Sequence, residues 1–486
     1  MDNRTAIFSK LVHNFMRAVP MAVPVGTSLA DAVAGMAREK ASSATVIDVD
    51  GRPVGIVTEQ DITRRAAFKL DGAAAVDDAM TAPVFTIHED EYLYYAIARM
   101  RRSNLRHMPV VNGNGVLKGM LNLPDAIAVV SGTLIEEIDI LTQEDNIDGL
   151  KLVKGAQVTL AERLADDNLP VNEVQALLTH INNDIYRRVV NLNLAAMADE
   201  GLGEPPVNFS VIVMGSGGRG ENFLFPDQDN GMILEDYPDD RHTEIDAWFI
   251  NLGHRITRDL DLVGLPLCKG FVMATNPLWR KTLTQWKEQV RLWSHKRGVA
   301  ALRLCDIFFD FRNVWGDPAM AGELKHFVTR TARGNPAFLS EMHADDIEHK
   351  VALGWFGRFI TEKDNKDFKG QLNLKHTGTL PLVEAMRLLA LREGIEEIST
   401  LGRMAALRDK DVLGADEHEY LSNAFLQISD ILLRQQIRDF KAGKRVSNYV
   451  HPRTLSGRQR DMLIDSFKAI RALRDKVKSE FTGEIF

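Results

Sequence analysis

Residues 211–235 read VIVMGSGGRGENFLFPDQDNGMILE, and this stretch decides how the second half of the chain folds. Val211–Met214 is a short apolar run stopped by glycine, the pattern of a buried strand. Gly215, Gly217, Gly218 and Gly220 permit tight turns and close approach of a ligand to the backbone. Ser216 adds a hydroxyl and Arg219 a fixed cation. Backbone N–H groups in such a loop can cradle a phosphate. Asp227 and Asp229 then stand two apart. If Asp229–Leu234 is a strand, side chains at i and i+2 share a face. Two carboxylates on one face, opposite a phosphate cradle, suit Mg²⁺-dependent phosphoryl chemistry. The segment has no P-loop lysine, and no useful helix follows the glycines as in a dinucleotide-binding turn. No suitably spaced Glu closes an EF-hand loop.

The G-S-x-x-R…D-x-D pattern, with a strand before and after, resembles the nucleotidyltransferase superfamily that includes DNA polymerase beta, kanamycin nucleotidyltransferase and the PII-protein uridylyltransferases. The resemblance implies that Gly215, Ser216 and Arg219 bind an NTP, UTP or ATP. It implies that Asp227 and Asp229 are catalytic and hold two Mg²⁺ ions. More narrowly, GSGGRGEN…DQDN resembles the bacterial family that joins CBS pairs to a nucleotidyltransferase-type domain and its substrate-binding domain. The superfamily places a third carboxylate on the next core strand. The expected strand, Leu267–Ala274, carries Lys269 and no acid. Asp310, in IFFDFRNVWGD (307–317), is then the expected third catalytic acid, with Glu235 behind it. The alternative is a structural pair of Asp310 with Arg312.

Upstream, the chain repeats itself at an offset of 64. ATVIDVDGRPVGIVTEQD (44–61) aligns without a gap on MPVVNGNGVLKGMLNLPD (108–125). Each copy has apolar residues at helical spacing, then a strand, a glycine turn (Asp50-Gly51, Asn114-Gly115), a second strand and an Asp at a helix start. This resembles a tandem pair of CBS domains. The segment GIVTEQD (55–61) matches that family's nucleotide-contacting pattern. It implies that Thr58 contacts phosphate and Asp61 the ribose of AMP or ATP. Asp125 is the second such position, with Asn122 replacing the hydroxyl residue. The alternative for both aspartates is helix capping.

From about Pro318 the apolar spacing is helical and predicts a bundle. LKHTGTLPLVEAMRLLALREGI (374–395) resembles the family's substrate-binding domain, and Lys375 is a candidate triphosphate contact or an ordinary exposed lysine. His343 and His349 read as surface residues, Cys268 and Cys305 as small core residues, and Trp279, Trp286 and Trp293 as a core stripe.

The expected organisation is an α/β multidomain chain. It comprises a CBS pair at 15–131 (15–72 and 76–131), a helical connector at 132–200, a polymerase-beta-like α/β core at 201–317 and a helical substrate-binding domain at 318–486. The chain has 486 residues, 45% of them hydrophobic and 26% charged, so it can bury substantial cores. Lys plus Arg total 59 and Asp plus Glu 67, a net charge of -8. That balance argues against nucleic acid or an anionic membrane as partner. Two cysteines make no disulfide framework, and no apolar run spans a bilayer, so a cytoplasmic location is expected. The expected function is NMP transfer from an NTP to a hydroxyl, on a protein such as a PII-type regulator, under control of the CBS pair. The expected assembly is a homodimer through that pair. A non-catalytic nucleotide sensor and a small-molecule nucleotidyltransferase are the alternatives.

Overall fold

The computed structural model describes residues 8–66, 69–127, 146–295, 299–346, 349–354 and 357–482. The chain divides into two compact units, 1–143 and 144–486.

The first unit runs β1 (Ala22–Pro24), α1 (Leu29–Glu39), β2 (Ser43–Ile47), β3 (Pro53–Thr58) and the single turn α2 (Glu59–Asp61). It continues through β4 (Ile87–His88), α3 (Leu93–Arg102), β5 (His107–Val111), β6 (Leu117–Asn122) and α4 (Leu123–Ile127). Two three-stranded sheets result, β1-β2-β3 and β4-β5-β6. The 64-residue repeat holds down to single backbone bonds. Val46 faces Gly55 and Val110 faces Gly119, each followed by a bulge. Gly51 and Gly115 both take φ +76°, as the turn between the antiparallel strands requires. Lys40 and Asn104 both turn left-handed to end their helices.

The two copies exchange their leading segments. The Val12 N–H donates to the Glu91 carbonyl at 2.8 Å, and Arg17 and Met120 exchange two backbone bonds at 2.9 Å. Sixty-four residues later the Val76 N–H donates to the Thr27 carbonyl at 2.8 Å, and Thr81 and Ile56 exchange bonds. So the segment before each copy packs on the other copy. The glycines at 55 and 119 make room for this. A Cβ on Gly55 would overlap Met80, and one on Gly119 would press on Met16 and the Arg17 carbonyl.

The second unit opens with α5 (Ile147–Asp166) and α6 (Val171–Asp199). Residues 132–145, the start of the expected connector, lie outside the described residues. Next come β7 (Phe209–Val213), α7 (Gly215–Arg219), β8 (Asn230–Leu234), α8 (His242–Val263), β9 (Arg280–Thr282), α9 (Leu283–His295), α10 (Val299–Phe308) and β10 (Arg312–Gly316). The helical end comprises α11 (Pro318–Arg333), α12 (Pro336–Asp346), α13 (Leu380–Glu393), α14 (Thr400–Asp409), α15 (Ala415–Lys441) and α16 (Gly457–Thr482). A small ladder, β11 (Leu372–Asn373) with β12 (Tyr449–Val450), closes one side of it. The main sheet is ordered β10-β7-β8-β9, antiparallel except for the parallel β8–β9 pair. One buried cluster runs from Ile212 in β7 through Trp279, Trp286 and Trp293 to Val477 in α16. The segments expected as core and substrate domain therefore share a single hydrophobic interior. Among the described residues no helix is long and apolar enough to cross a membrane.

Two expectations need correction. Leu267–Ala274 is not a core strand; the strand beside β8 is Arg280–Thr282. Phe271 adopts a left-handed φ of 55°, which breaks an extended run. The segment is pinned instead through the Asn230 side chain, whose Oδ1 accepts from the Ala274 N–H at 3.0 Å. Nor is His343 a surface residue: it is 3% exposed. Its helix α12 packs against α13 and α16, and the histidine sits on the inner side.

Candidate active site

The glycine segment folds as one helical turn, α7, ended by left-handed Gly220. Gly218 is required by packing, since a Cβ there would overlap the Asp310 carbonyl oxygen. Gly215 has φ +58°, and a Cβ on it would lie 3.2 Å from Asp229 Oδ2. The bare Cα therefore lets the carboxylate come close to the loop. Ser216 Oγ donates to Asn222 Oδ1 at 3.1 Å, and the Asn222 N–H donates to Thr179 Oγ1 at 2.9 Å. Both partners on α6 and after α7 were missed in sequence, where nothing links residue 179 to residue 222.

Asp227, Gln228 and Asp229 alternate as an extended segment must. Gln228 is 0% exposed and anchors inward, its Nε2 donating to the Thr257 and Leu265 carbonyls at 3.1 and 2.8 Å. Asp227 is exposed and Asp229 half-buried, and both line one small cleft with Asn182 and Asn222. β8 begins just after them, and the Met214 N–H extends its ladder by donating to the Asp229 carbonyl at 2.8 Å. Burial pushes the Asp229 carboxyl up to about 6; Asp227 adds to this, while the Cys268 thiol and Lys375 oppose it. Cys268, expected as a packing residue, is thus a direct neighbour of the acid. Burial and Asp229 push its own thiol up to about 11.

Lys375 stands at a π-turn, residues Lys375–Thr379, that leads into α13. It lines a second cleft with Ser216, Arg219, Glu221 and Thr379, and its charge acts on Asp229. The fold thus gathers Gly215, Ser216, Lys375, Asp227 and Asp229 around one helical turn.

Asp310 is placed differently. It is 0% exposed and enclosed by three arginines. Arg219 Nη1 and Arg387 Nη2 donate to its Oδ2 at 2.8 and 2.7 Å, and Arg403 Nη2 donates to its Oδ1 at 2.6 Å. Glu221 and Asp306 complete the set, giving three arginines and three carboxylates. Burial alone would raise the Asp310 pKa; Arg387, Arg403 and Arg219 outweigh it and hold the carboxyl well below the usual range. A carboxylate sealed in this way has no oxygen to offer a metal and no use as a base at neutral pH. Its expected role as third catalytic acid is replaced by that of an anchor beneath the loop. Arg219 is correspondingly tied to Glu221 and Asp310, with its side chain 11% exposed, and it faces the second cleft only in part. Among the described residues no three His, Cys, Asp or Glu side chains form a metal-holding group. Two carboxylates nevertheless fit Mg²⁺, which keeps several waters and takes its remaining ligands from substrate phosphates. The desolvated, like-charged neighbourhood of Asp229 is one that a cation would relieve.

In the first unit, Thr58 and Asp61 form a reciprocal capping box. Thr58 Oγ1 and the Thr58 N–H donate to Asp61 Oδ2 at 2.7 and 3.0 Å, and the Asp61 N–H donates to Thr58 Oγ1 at 3.2 Å. Thr81 Oγ1 donates to Asp61 Oδ1 at 3.3 Å. At the equivalent place Asn122 Nδ2 donates to Asp125 Oδ2 at 3.3 Å, and Arg17 pairs with Asp125 at 2.8 Å. Thr81 and Arg17 occupy matching positions of the two exchanged segments. Each aspartate also has an arginine, Arg65 at 3.6 Å from Asp61 and Arg17 at 2.8 Å from Asp125, so the copies differ in the Thr81 hydroxyl and in which segment supplies the cation.

Comparison with known proteins agrees with this division. CBS domain models match residues 12–67 and 76–132. The model described as "Putative nucleotidyltransferase DUF294" matches 156–299, and that of its substrate binding domain matches 336–481. The chain joins a CBS pair to a DUF294 domain and the DUF294 substrate-binding domain. Among curated relatives, an uncharacterized 17.7 kDa protein of Acidianus ambivalens is 34% identical over 103 residues, 21% of this chain and 62% of that protein. An inosine-5'-monophosphate dehydrogenase of Mycobacterium tuberculosis is 33% identical over 109 residues, 22% of this chain and 20% of the enzyme. The chain thus spans less than two thirds of either relative. Among solved structures, a CBS domain protein from Pyrobaculum aerophilum complexed with AMP is 26% identical, with a TM-score of 0.24, covering 26% of this chain and 98% of that one. A CBS pair/ACT domain protein from Thermotoga maritima is 22% identical, with a TM-score of 0.22, covering 26% and 98%.

Proposed function

We propose that the DUF294 module transfers NMP from an NTP, UTP or ATP, to a hydroxyl acceptor. The observation that carries this is the placement of Asp227 and Asp229 on one side of an extended segment, with Asp229 against the bare Cα of Gly215. The triphosphate lies along α7, with Ser216 Oγ, backbone N–H groups and Lys375 as donors. Asp227 and Asp229 hold Mg²⁺, which when bound neutralises charge on the transferring phosphoryl group. The acceptor oxygen bonds to the α-phosphorus, the bond to the β-phosphate bridge breaks, pyrophosphate leaves, and the hydroxyl proton passes to water or a base. The acceptor class favoured by the acidic chain is a protein, a PII-like regulator being the model; a small hydroxylated molecule is the rival. The test is pyrophosphate release from each NTP with Mg²⁺, with and without candidate acceptors. Release with one NTP supports transfer, and release from none refutes it.

A non-catalytic sensor is the second reading. It is favoured by the sealed Asp310 and by β9, whose Arg280, Lys281 and Thr282 include no acid. It predicts NTP binding without pyrophosphate release.

The CBS pair is the regulatory part of this proposal, binding AMP or ATP at Thr58 and Asp61 and forming a homodimer. Ribose hydroxyls would take the place of Thr58 and Thr81 as donors to Asp61. Asp125 is the weaker position, because Asn122 stands where the first copy has the Thr58 hydroxyl. AMP should raise the melting temperature of the wild type and of Asp125→Asn. In Asp61→Asn it should have no effect; an equal rise there would remove Asp61 from the site.

A further inference from the structure

The second unit holds another cleft, separate in its lining from the residues around α7. It lies between α16, the segment 350–353 and the end of α12. Its volume is about 390 Å³, far more than an inorganic ion needs and within the range of small-molecule sites. Among the described residues its walls carry four cations, Lys350, Arg471, Arg474 and Lys478, against one carboxylate, Asp475. The α16 members fall at i, i+3, i+4 and i+7, one face of the helix. Arg474 also approaches Glu384, at 3.8 Å, and Arg471 donates to the Leu353 carbonyl, which fixes both guanidinium groups at the wall. The rest of the lining, His343 apart, is apolar: Val351, Leu353 and Ile360, the last 54% exposed.

His343 supplies the independent observation. It lines the same cleft, is 3% exposed, and its Nε2 has no hydrogen-bond partner. Burial, with Arg474 and Lys478 adding to it, pushes the ring down to about 4, so at neutral pH the imidazole is uncharged and can donate one N–H. A buried polar nitrogen without a partner calls for one. The cations around it specify an anionic oxygen, and the apolar wall specifies a carbon body attached to it.

We propose that this cleft binds a small organic phosphate monoester. The phosphate sits among Lys350, Arg474 and Lys478, accepting from the His343 ring, and the organic part lies on Val351 and Ile360. The site is independent of nucleotidyl transfer at α7.

The test is calorimetric titration of the full-length chain with phenyl phosphate and, separately, inorganic phosphate. Phenyl phosphate should bind at one site per chain and more tightly than inorganic phosphate. Lys350→Glu combined with Lys478→Glu should weaken it by about tenfold or more, through loss of charge-assisted bonds. The milder pair Lys350→Gln and Lys478→Gln should give a smaller loss, and serves if charge reversal unfolds the chain. Asp227→Asn with Asp229→Asn should leave the affinity unchanged, which separates this site from the nucleotide site. Absence of phenyl phosphate binding overturns the proposal. So does an affinity equal to that for inorganic phosphate, an affinity indifferent to both lysine pairs, or binding of an acidic peptide in place of the ester.

Discussion

At the scale of single residues, three aspartates of one site have three environments. Asp227 is exposed, Asp229 is half-buried beside Cys268, and Asp310 is sealed by arginines. Removing the Asp310 charge would leave Arg219, Arg387 and Arg403 facing one another without water. Asp310→Asn should therefore cost about 3–5 kcal/mol of stability, whereas Asp227→Asn should stay within about 0.5 kcal/mol. Urea unfolding of the two variants measures this; equal losses would contradict the cage. Two buried lysines give a pH signature. Burial pushes Lys154 down to about 7, and burial with Arg403 pushes Lys325 down to about 7, from an ordinary 10.5. Between pH 7 and 10.5 the unfolded chain therefore holds more protons than the folded one. Stability should rise with pH from 7 to about 9, by up to about 1.4 kcal/mol per pH unit for each lysine; above pH 9 the raised thiols of Cys268 and Cys305 oppose it. Unfolding midpoints at pH 7 and pH 9 should show the rise, and Lys154→Gln should reduce it. An unchanged slope in that variant would mean Lys154 titrates normally. The three acceptors around Lys154 Nζ, on Gln157, Asn182 and the Leu224 carbonyl, are uncharged, so no carboxylate masks the effect, and the neutral amine keeps two of these bonds.

At the scale of elements, the difference between what could and could not be read in the sequence is one of range. The Asp227–Asp229 alternation and the strands on either side of α7 rest on local periodicity, and they form nearly where the pattern puts them. The 64-residue repeat was legible for the same reason, because each copy carries its own turn glycine and helix spacing. The arginine cage was not legible, since residues 219, 387 and 403 meet at Asp310 only through the packing of α7, α13 and α14 around α10. The order of the sheet edge was hidden too: LCKGFVMA has strand composition, but the left-handed Phe271 and the Asn230 tether make it a loop. The burial of His343 depends on α16, more than a hundred residues away. Gly218 links both ranges, allowing α7 to lie directly on the Asp310 backbone. Gly218→Ala should lift the turn away from its support and cost about 1–3 kcal/mol by overpacking. Gly220→Ala tests strain alone, because nothing lies near its Cβ direction. Chemical unfolding should rank Gly218→Ala as the more damaging; the reverse order would place the strain in the left-handed turn rather than in the contact.

At the scale of the whole molecule, each compact unit has an internal logic of exchange or sharing. In the first, the segment preceding each copy completes the other, so neither copy has its full set of backbone partners alone. In the second, one hydrophobic interior joins the sheet whose strand β8 begins just after Asp229 to the helix that the Lys375 turn leads into. This explains how a lysine from the substrate-binding domain reaches the α7 site. The central chemical question is whether two carboxylates suffice where a third is sealed away. It is answered by incubating the full-length chain with Mg²⁺, α-labelled UTP or ATP and acceptor protein, beside the Asp227→Asn plus Asp229→Asn variant, and counting label on the acceptor. Nucleotidyl transfer through these two acids predicts label with the wild type and a drop to background with the variant. Equal labelling by both proteins would contradict it.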